Sequence, residues 1–330
     1  MTNPPLVVSL GDPAGIGPEL AAKAWTSLRD QAGLAFCVLG DAALLETHGV
    51  PVARVADVSE TSQCFASALP VLDTPLTAPV AAGKPDSRNA QQVIDWIRQG
   101  VDLCRSGQAR GLVTCPIAKS VLYSAGFRFP GHTEYLAELC RDGDTVPMPV
   151  MMLTAKDLRV VLATIHVPLK DVPDALTVDG LVELARITYA ALRQDFGLTA
   201  PRLVMCGLNP HAGEDGTIGR EEVEILNPAI DILRNESIDI AGPFPSDSLF
   251  HDEARRSYDA VLCMYHDQGL IPLKTIDFWG GVNITLGLPI VRTSPDHGTG
   301  FDIAGKGLAR ADSLLAAIRA ADMISRNRVL

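Results

Sequence analysis

Val7-Val-Ser-Leu10, Gly11-Asp-Pro-Ala-Gly-Ile-Gly17 and Pro18-Glu-Leu-Ala-Ala-Lys-Ala-Trp-Thr-Ser-Leu28 follow one another without interruption near the start of the chain. The first block is a short apolar run of buried-strand type, and the second is a glycine-rich turn. The third opens with proline at a first helical position, where a missing N–H costs nothing. Leu20, Ala24 and Leu28 define the helix's inner face, and Gly33 closes it. A second strand, Ala35 to Leu39, follows at once, so the pattern is a βα unit feeding a parallel sheet.

The same alternation continues. A helix from about Asn89 to Gly107 precedes a strand at Gly111 to Thr114. Pro130-Gly131 breaks the chain before a helix at Thr133 to Arg141 and is the expected first domain boundary. Val150 to Leu153, Arg159 to Thr164, Arg202 to Cys206 and Asp259 to Met264 read as strands, and Gly180 to Gln194 as a helix. Asn283 to Leu286 and Pro289 to Val291 are short extended pieces, and a last helix runs from Asp312 to about Ser325. Pro51 to Asp86, rich in Pro and Ala, is an irregular excursion with short strands. The fold class is α/β with a largely parallel sheet, and 330 residues suggest two domains.

Twenty-eight Lys and Arg against 39 Asp and Glu leave a net charge of −11. That excludes partners chosen by bulk positive charge, such as nucleic acid or an anionic membrane. The seven cysteines include no C-x-x-C pair, the N-terminus lacks a basic, apolar leader, and no apolar run reaches a membrane span. A cytoplasmic protein with reduced thiols is expected.

Three histidines stand just beyond apolar strands: His166 after Val160-Val-Leu-Ala-Thr-Ile, His211 after Leu203-Val-Met-Cys-Gly-Leu-Asn-Pro, and His266 after Ala260-Val-Leu-Cys-Met-Tyr. Ligand crevices in open α/β sheets lie outside the carboxyl ends of the strands, so parallel pairing brings these imidazoles to one sheet edge. Three imidazoles facing one point, with positions left open, suit a catalytic divalent metal. The plainer alternative is three separate capping or core histidines. Asp267 either orients His266 or faces solvent.

Gly131-His132-Thr133-Glu134 precedes a helical period, where free N–H groups favour an anion, phosphate above all; Thr133 reads equally as an N-cap. Lys274, Asn283 and Arg292 form a cation-amide-cation set for carboxylate or phosphate. There is no complete G-x-G-x-x-G, which speaks against a standard Rossmann unit. The glycines of Asp296-His-Gly-Thr-Gly-Phe-Asp-Ile-Ala-Gly-Lys-Gly307 permit close backbone approach to a ligand.

Gly11-Asp-Pro-Ala-Gly-Ile-Gly-Pro-Glu19, Pro130-Gly-His-Thr-Glu134, Cys206-Gly-Leu-Asn-Pro-His-Ala-Gly-Glu214, Met264-Tyr-His-Asp-Gln-Gly269 and Val282-Asn-Ile-Thr-Leu-Gly-Leu-Pro289 together resemble the 4-hydroxythreonine-4-phosphate dehydrogenase family of vitamin B6 biosynthesis. The resemblance runs from Val7 to the last helix. It implies two α/β/α domains with a cleft between them, similar to isocitrate and isopropylmalate dehydrogenases, here 1–130 with 287–330, and 131–286. It implies oxidation of 4-phosphooxy-L-threonine by NAD or NADP, then decarboxylation to 3-amino-2-oxopropyl phosphate. One divalent cation (Zn, Mg or Co) is implied on His166, His211 and His266. Substrate contacts fall on His132, Thr133, Lys274, Asn283 and Arg292, and cofactor contacts on Gly298, Thr299 and Asp302. Lys274 and Asp267 stand as catalytic candidates. A homodimer is implied, with each active site at the subunit interface, so that its three metal ligands need not all come from one chain.

Cys115, in Thr114-Cys-Pro-Ile-Ala-Lys119, stands where the family suggests Gly or Asn; a buried inert thiol is expected there. Paralogues acting on 4-phospho-D-threonate share the same metal and phosphate groups. A three-histidine hydrolase that uses bound hydroxide, and a purely structural metal-binding protein, are the readings from other classes.

Overall fold

The computed structural model describes residues 3–328. In chain order its strands are β1 (Leu6–Ser9), β2 (Phe36–Gly40), β3 (Val52–Val55), β4 (Leu69–Asp73), β5 (Gly111–Thr114), β6 (Val150–Ala155), β7 (Leu158–Leu162), β8 (Leu203–Cys206), β9 (Ile240–Phe244), β10 (Ala260–Cys263), β11 (Val282–Leu286) and β12 (Arg292–Pro295). The longer helices are α1 (Gly17–Leu28), α2 (Ala90–Arg105), α3 (His132–Leu139), α4 (Val178–Gln194), α5 (Asn227–Asn235), α6 (His266–Ile276) and α7 (Asp312–Asn327). None of the described helices is long and apolar enough to cross a membrane.

The chain divides into two compact units, one running to Pro149 and resumed over Leu288–Arg326, the other spanning Val150–Gly287 with the chain from Asn327. In the first unit the strand order is β3-β4-β2-β1-β5-β12, parallel throughout. Leu6, Val7, Val8, Leu112 and Val113 are fully buried, as expected of parallel strands covered on both faces. Removing one such side chain from water stabilises the fold by about 1.5–3 kcal/mol. Helix α2 packs on β1, β2 and β5, burying Val93, Trp96, Ile97 and Val101.

The second unit has the order β11-β6-β7-β10-β8-β9. Strands β7, β10, β8 and β9 run parallel, whereas β6 and β11 are antiparallel to their neighbours. Its core is built from Leu158, Val160, Leu162, Val204, Cys206, Val261, Cys263 and Leu273.

Two expectations need correction. The first boundary lies after Pro149, not at Pro130-Gly131. Gly131 is instead the N-cap of α3, a helix held to α2 by Arg105 Nη1 donating to Leu139 O at 2.8 Å. The extended piece at Pro289–Val291 is not the strand; ladder pairing with β5 begins at Arg292. The stretch 51–86 carries the expected short strands, β3 and β4, which pair parallel and have short helical turns between them.

Candidate active site

Strands β7, β10 and β8 are consecutive and parallel, with Val261 level with Val160 on one side and Val204 on the other. Their carboxyl ends therefore stand side by side, and each leads to one of the strand-end histidines, as the apolar runs required. His266 is the first residue of α6. That helix sits close against the sheet because residue 269 is glycine: a Cβ there would run into Val160 Cγ1 and lie 3.2 Å from Cys263 Sγ.

The rings of His166 and His266 lie 5.9 Å apart, centroid to centroid, at 37°. His266 Nδ1 and Asp267 Oδ1 are 2.7 Å apart, which leaves Nε2 as the nitrogen available to a ligand. The Asp267 side chain bonds the imidazole while remaining 70% exposed. The two rings open on a cavity of about 290 Å³ that also includes Ile165 and Tyr265.

His211 lines a neighbouring cavity of about 330 Å³ with Asn209, Asp247, Tyr265 and Gln268. Among the described residues no group of three His, Cys, Asp or Glu is close enough to hold a metal ion. The convergence of all three imidazoles on one point is therefore not met within a single chain. His211 to Asp215 all have positive φ, a left-handed turn, and His211 lines the neighbouring cavity.

Lys274 lies further along α6 with Nζ 5.4 Å from the Phe278 ring centroid. Asn283, on β11, presents a buried Oδ1 that has no hydrogen-bond partner, an acceptor suited to a ligand donor.

The first unit carries the remaining predicted contacts. Helix α3 has no side-chain N-cap; Thr133 is its second residue and is buried, so the capping role is excluded. Arg292 is 3% exposed and donates from Nη2 to Thr114 Oγ1 at 2.8 Å. Burial pushes its guanidinium down to about 10, opposed by the Glu134 carboxylate. His132 is half-exposed as a residue, but its Nε2 is sealed from solvent without a partner. Desolvation, then the cations Arg292 and Lys119, hold the imidazole well below its usual range, so it is neutral at pH 7.

Thr299 O accepts from Ile16 N at 2.9 Å, seating the 296–307 loop on the first βα turn, while Gly298 and Asp302 are exposed. A cavity of about 850 Å³ borders the far end of this loop at Gly305 and Gly307, with Glu19, Lys23 and His48 among its walls. Gly298, Thr299 and Asp302 do not line it. Cys115 is fully buried, and burial raises its thiol to about 12, as expected of an inert core residue.

Tyr265, Gln268 and Lys119 escaped the sequence reading. Tyr265 lines both histidine cavities, and its position directly before His266 was the available signal. Gln268 accepts from Met264 N at 2.7 Å and donates to Gly207 O and Ser246 Oγ, both at 2.7 Å. It thereby ties the ends of β8 and β10 together.

The whole chain is similar to known proteins. Residues 33–321 match the family model described as pyridoxal phosphate biosynthetic protein PdxA. The chain belongs to the PdxA family. A 4-hydroxythreonine-4-phosphate dehydrogenase of Caulobacter vibrioides is 57% identical over 332 residues, covering 99% of each chain. One from Methylorubrum populi is 54% identical over 98% of this chain and 95% of its own. The crystal structure of a 4-hydroxythreonine-4-phosphate dehydrogenase from Klebsiella pneumoniae matches with a TM-score of 0.86 at 36% identity, covering 98% of this chain and 99% of that one.

Proposed function

We propose that this PdxA-family chain is an NAD(P)- and divalent-metal-dependent dehydrogenase. It would oxidise the C3 hydroxyl of 4-phosphooxy-L-threonine to 2-amino-3-oxo-4-phosphooxybutanoate, which decarboxylates to 3-amino-2-oxopropyl phosphate in pyridoxal phosphate biosynthesis. The observation that carries this reading is 57% identity across 99% of both chains to a relative of that name. The donor set supports it: histidines end three adjacent parallel strands, and the Asp267 contact leaves the Nε2 of His266 available.

His166, His211 and His266 would hold one Zn, Mg or Co ion. When bound, the cation supplies Lewis acidity at the substrate oxygen in both steps and NAD(P) accepts the hydride. Because one chain brings only two of the rings face to face, a second copy completes the set, and the active enzyme is a homodimer. His132, Thr133 and Arg292 take the phosphate. Lacking a proton of its own to lose near pH 7, the neutral His132 keeps one N–H to donate while Arg292 supplies the charge. Lys274 and Asn283 take the amino-acid end, with Lys274 returning a proton to the carbon left by decarboxylation. Asp267 orients His266. The loop with Gly298, Thr299 and Asp302 contacts the nucleotide.

Reduced nicotinamide absorbance, followed with 4-phosphooxy-L-threonine and with 4-phospho-D-threonate side by side, tests the assignment. Preference for the threonine derivative supports it. Preference for the threonate assigns the chain to the sugar-acid branch, and turnover of a phosphorylated substrate without nicotinamide would make it a hydrolase.

A further inference from the structure

Four non-glycine residues, His211, Ala212, Glu214 and Asp215, are left-handed, with φ between 42° and 54°, and Gly213 between them has φ 80°. Such a conformation is strained for an L-residue, so the surroundings must impose it. Beneath the turn lies Glu222, only 2% exposed. Its Oε1 accepts from Asn209 N at 2.7 Å, and its Oε2 accepts from Asn209 Nδ2 at 2.8 Å. Asn209 Nδ2 also donates to Glu221 Oε2 at 2.7 Å.

The carboxylate also fills the space that side chains of the turn would need. A Cβ on Gly213 would lie 2.5 Å from Glu222 Oε2, and one on Gly207 would lie 3.2 Å from Oε1. Glu222 opens the π-helical turn Glu222–Leu226, an irregularity that recurs at functional sites. Gln268 already fixes the end of β8 at Gly207. What remains to be held is the chain from Asn209 to His211, and Glu222 grips it two residues before the imidazole.

We infer that Glu222 is a positioning residue: through its two bonds to Asn209 it imposes the left-handed turn and so sets the direction in which His211 presents its ring. This rests on the reading of His211 as a metal ligand. It gives the buried carboxylate a role in ligand geometry beyond packing, since replacing Glu by Gln keeps volume and one acceptor oxygen but opposes an NH₂ to Asn209 Nδ2.

The test is titration of metal-stripped dimer with cobalt(II), followed by its visible absorption, for wild type, Glu222→Gln, Asn209→Ala, the double variant and His211→Ala. Expected for both single variants are cobalt binding weakened about 10- to 100-fold and an altered band shape. The double variant should be no worse than the more affected single one, and circular dichroism should be unchanged. If Glu222→Gln does not fold, Asn209→Ala carries the same test. Wild-type affinity and spectrum in both single variants, with binding lost in His211→Ala, would overturn the positioning role while sparing the ligand assignment. Wild-type binding by His211→Ala overturns both.

Discussion

His166 and His266 face each other at a centroid distance of 5.9 Å although 100 residues of chain separate them. The pairing follows from parallel register: Val160 beside Val261 on the same sheet, each strand delivering its histidine at the carboxyl end. His211 leaves the next strand of the same series.

His211→Ala is expected to abolish divalent-metal binding and turnover while leaving the fold mostly intact, because the residue sits on a turn outside the β8–β10 core. Metal content of the purified variant, together with its circular dichroism, checks this. Loss of folding would mean the residue is structural.

Arg292→Lys should raise KM for the phosphorylated substrate far more than it lowers stability. A lysine keeps the charge but loses the planar fork from which Arg292 donates to Thr114 Oγ1 and, in the proposed role, would also reach the substrate. Losing a hydrogen bond to a charged group costs about 1.5–3 kcal/mol, or roughly 10- to 150-fold. Steady-state kinetics that match wild type would remove Arg292 from the phosphate site.

Acid should unfold the protein partly through His132. Its imidazole is held well below the ordinary value by burial and by Arg292 and Lys119, so below about pH 6.5 the unfolded chain binds a proton that the folded chain refuses. That contribution to stability is complete above pH 6.5 and shrinks as pH falls through the unfolded value toward the folded one. Melting temperature measured from about pH 7.5 down to about pH 5.5 should fall less steeply for His132→Asn. Parallel curves would show that the His132 Nε2 is not sealed from solvent as described.

Thiol chemistry should separate the cysteines. Cys37, Cys115, Cys206 and Cys263 are fully buried, and burial raises Cys37 and Cys115 to about 12. Iodoacetamide should modify the half-buried Cys64 first and reach these four only on unfolding. Native labelling of Cys115, read by mass spectrometry, contradicts its place as an inert core thiol.

The sheet and its strand-end residues were legible because continuous apolar runs such as Val160–Leu162 and Ala260–Cys263 signal buried parallel strands. Helix α6 was not, since Gly269 and Pro272 interrupt its helical period. The domain boundary was misread at Pro130-Gly131, whose turn chemistry serves a helix start just as well as a linker. His211 was read at the carboxyl end of its strand, but the left-handed turn that carries it was not legible. A left-handed turn imposed by a buried carboxylate eleven residues later (222 − 211 = 11) leaves no periodic trace in the sequence.

Anomalous diffraction at the cobalt edge from crystals of the metal-loaded protein bears most directly on the central claim. One strong peak per active site, with Nε2 or Nδ1 of His166, His211 and His266 around it once both subunits are counted, is the predicted result. A peak bound by other residues, or no peak in enzyme that still turns over 4-phosphooxy-L-threonine, would contradict it.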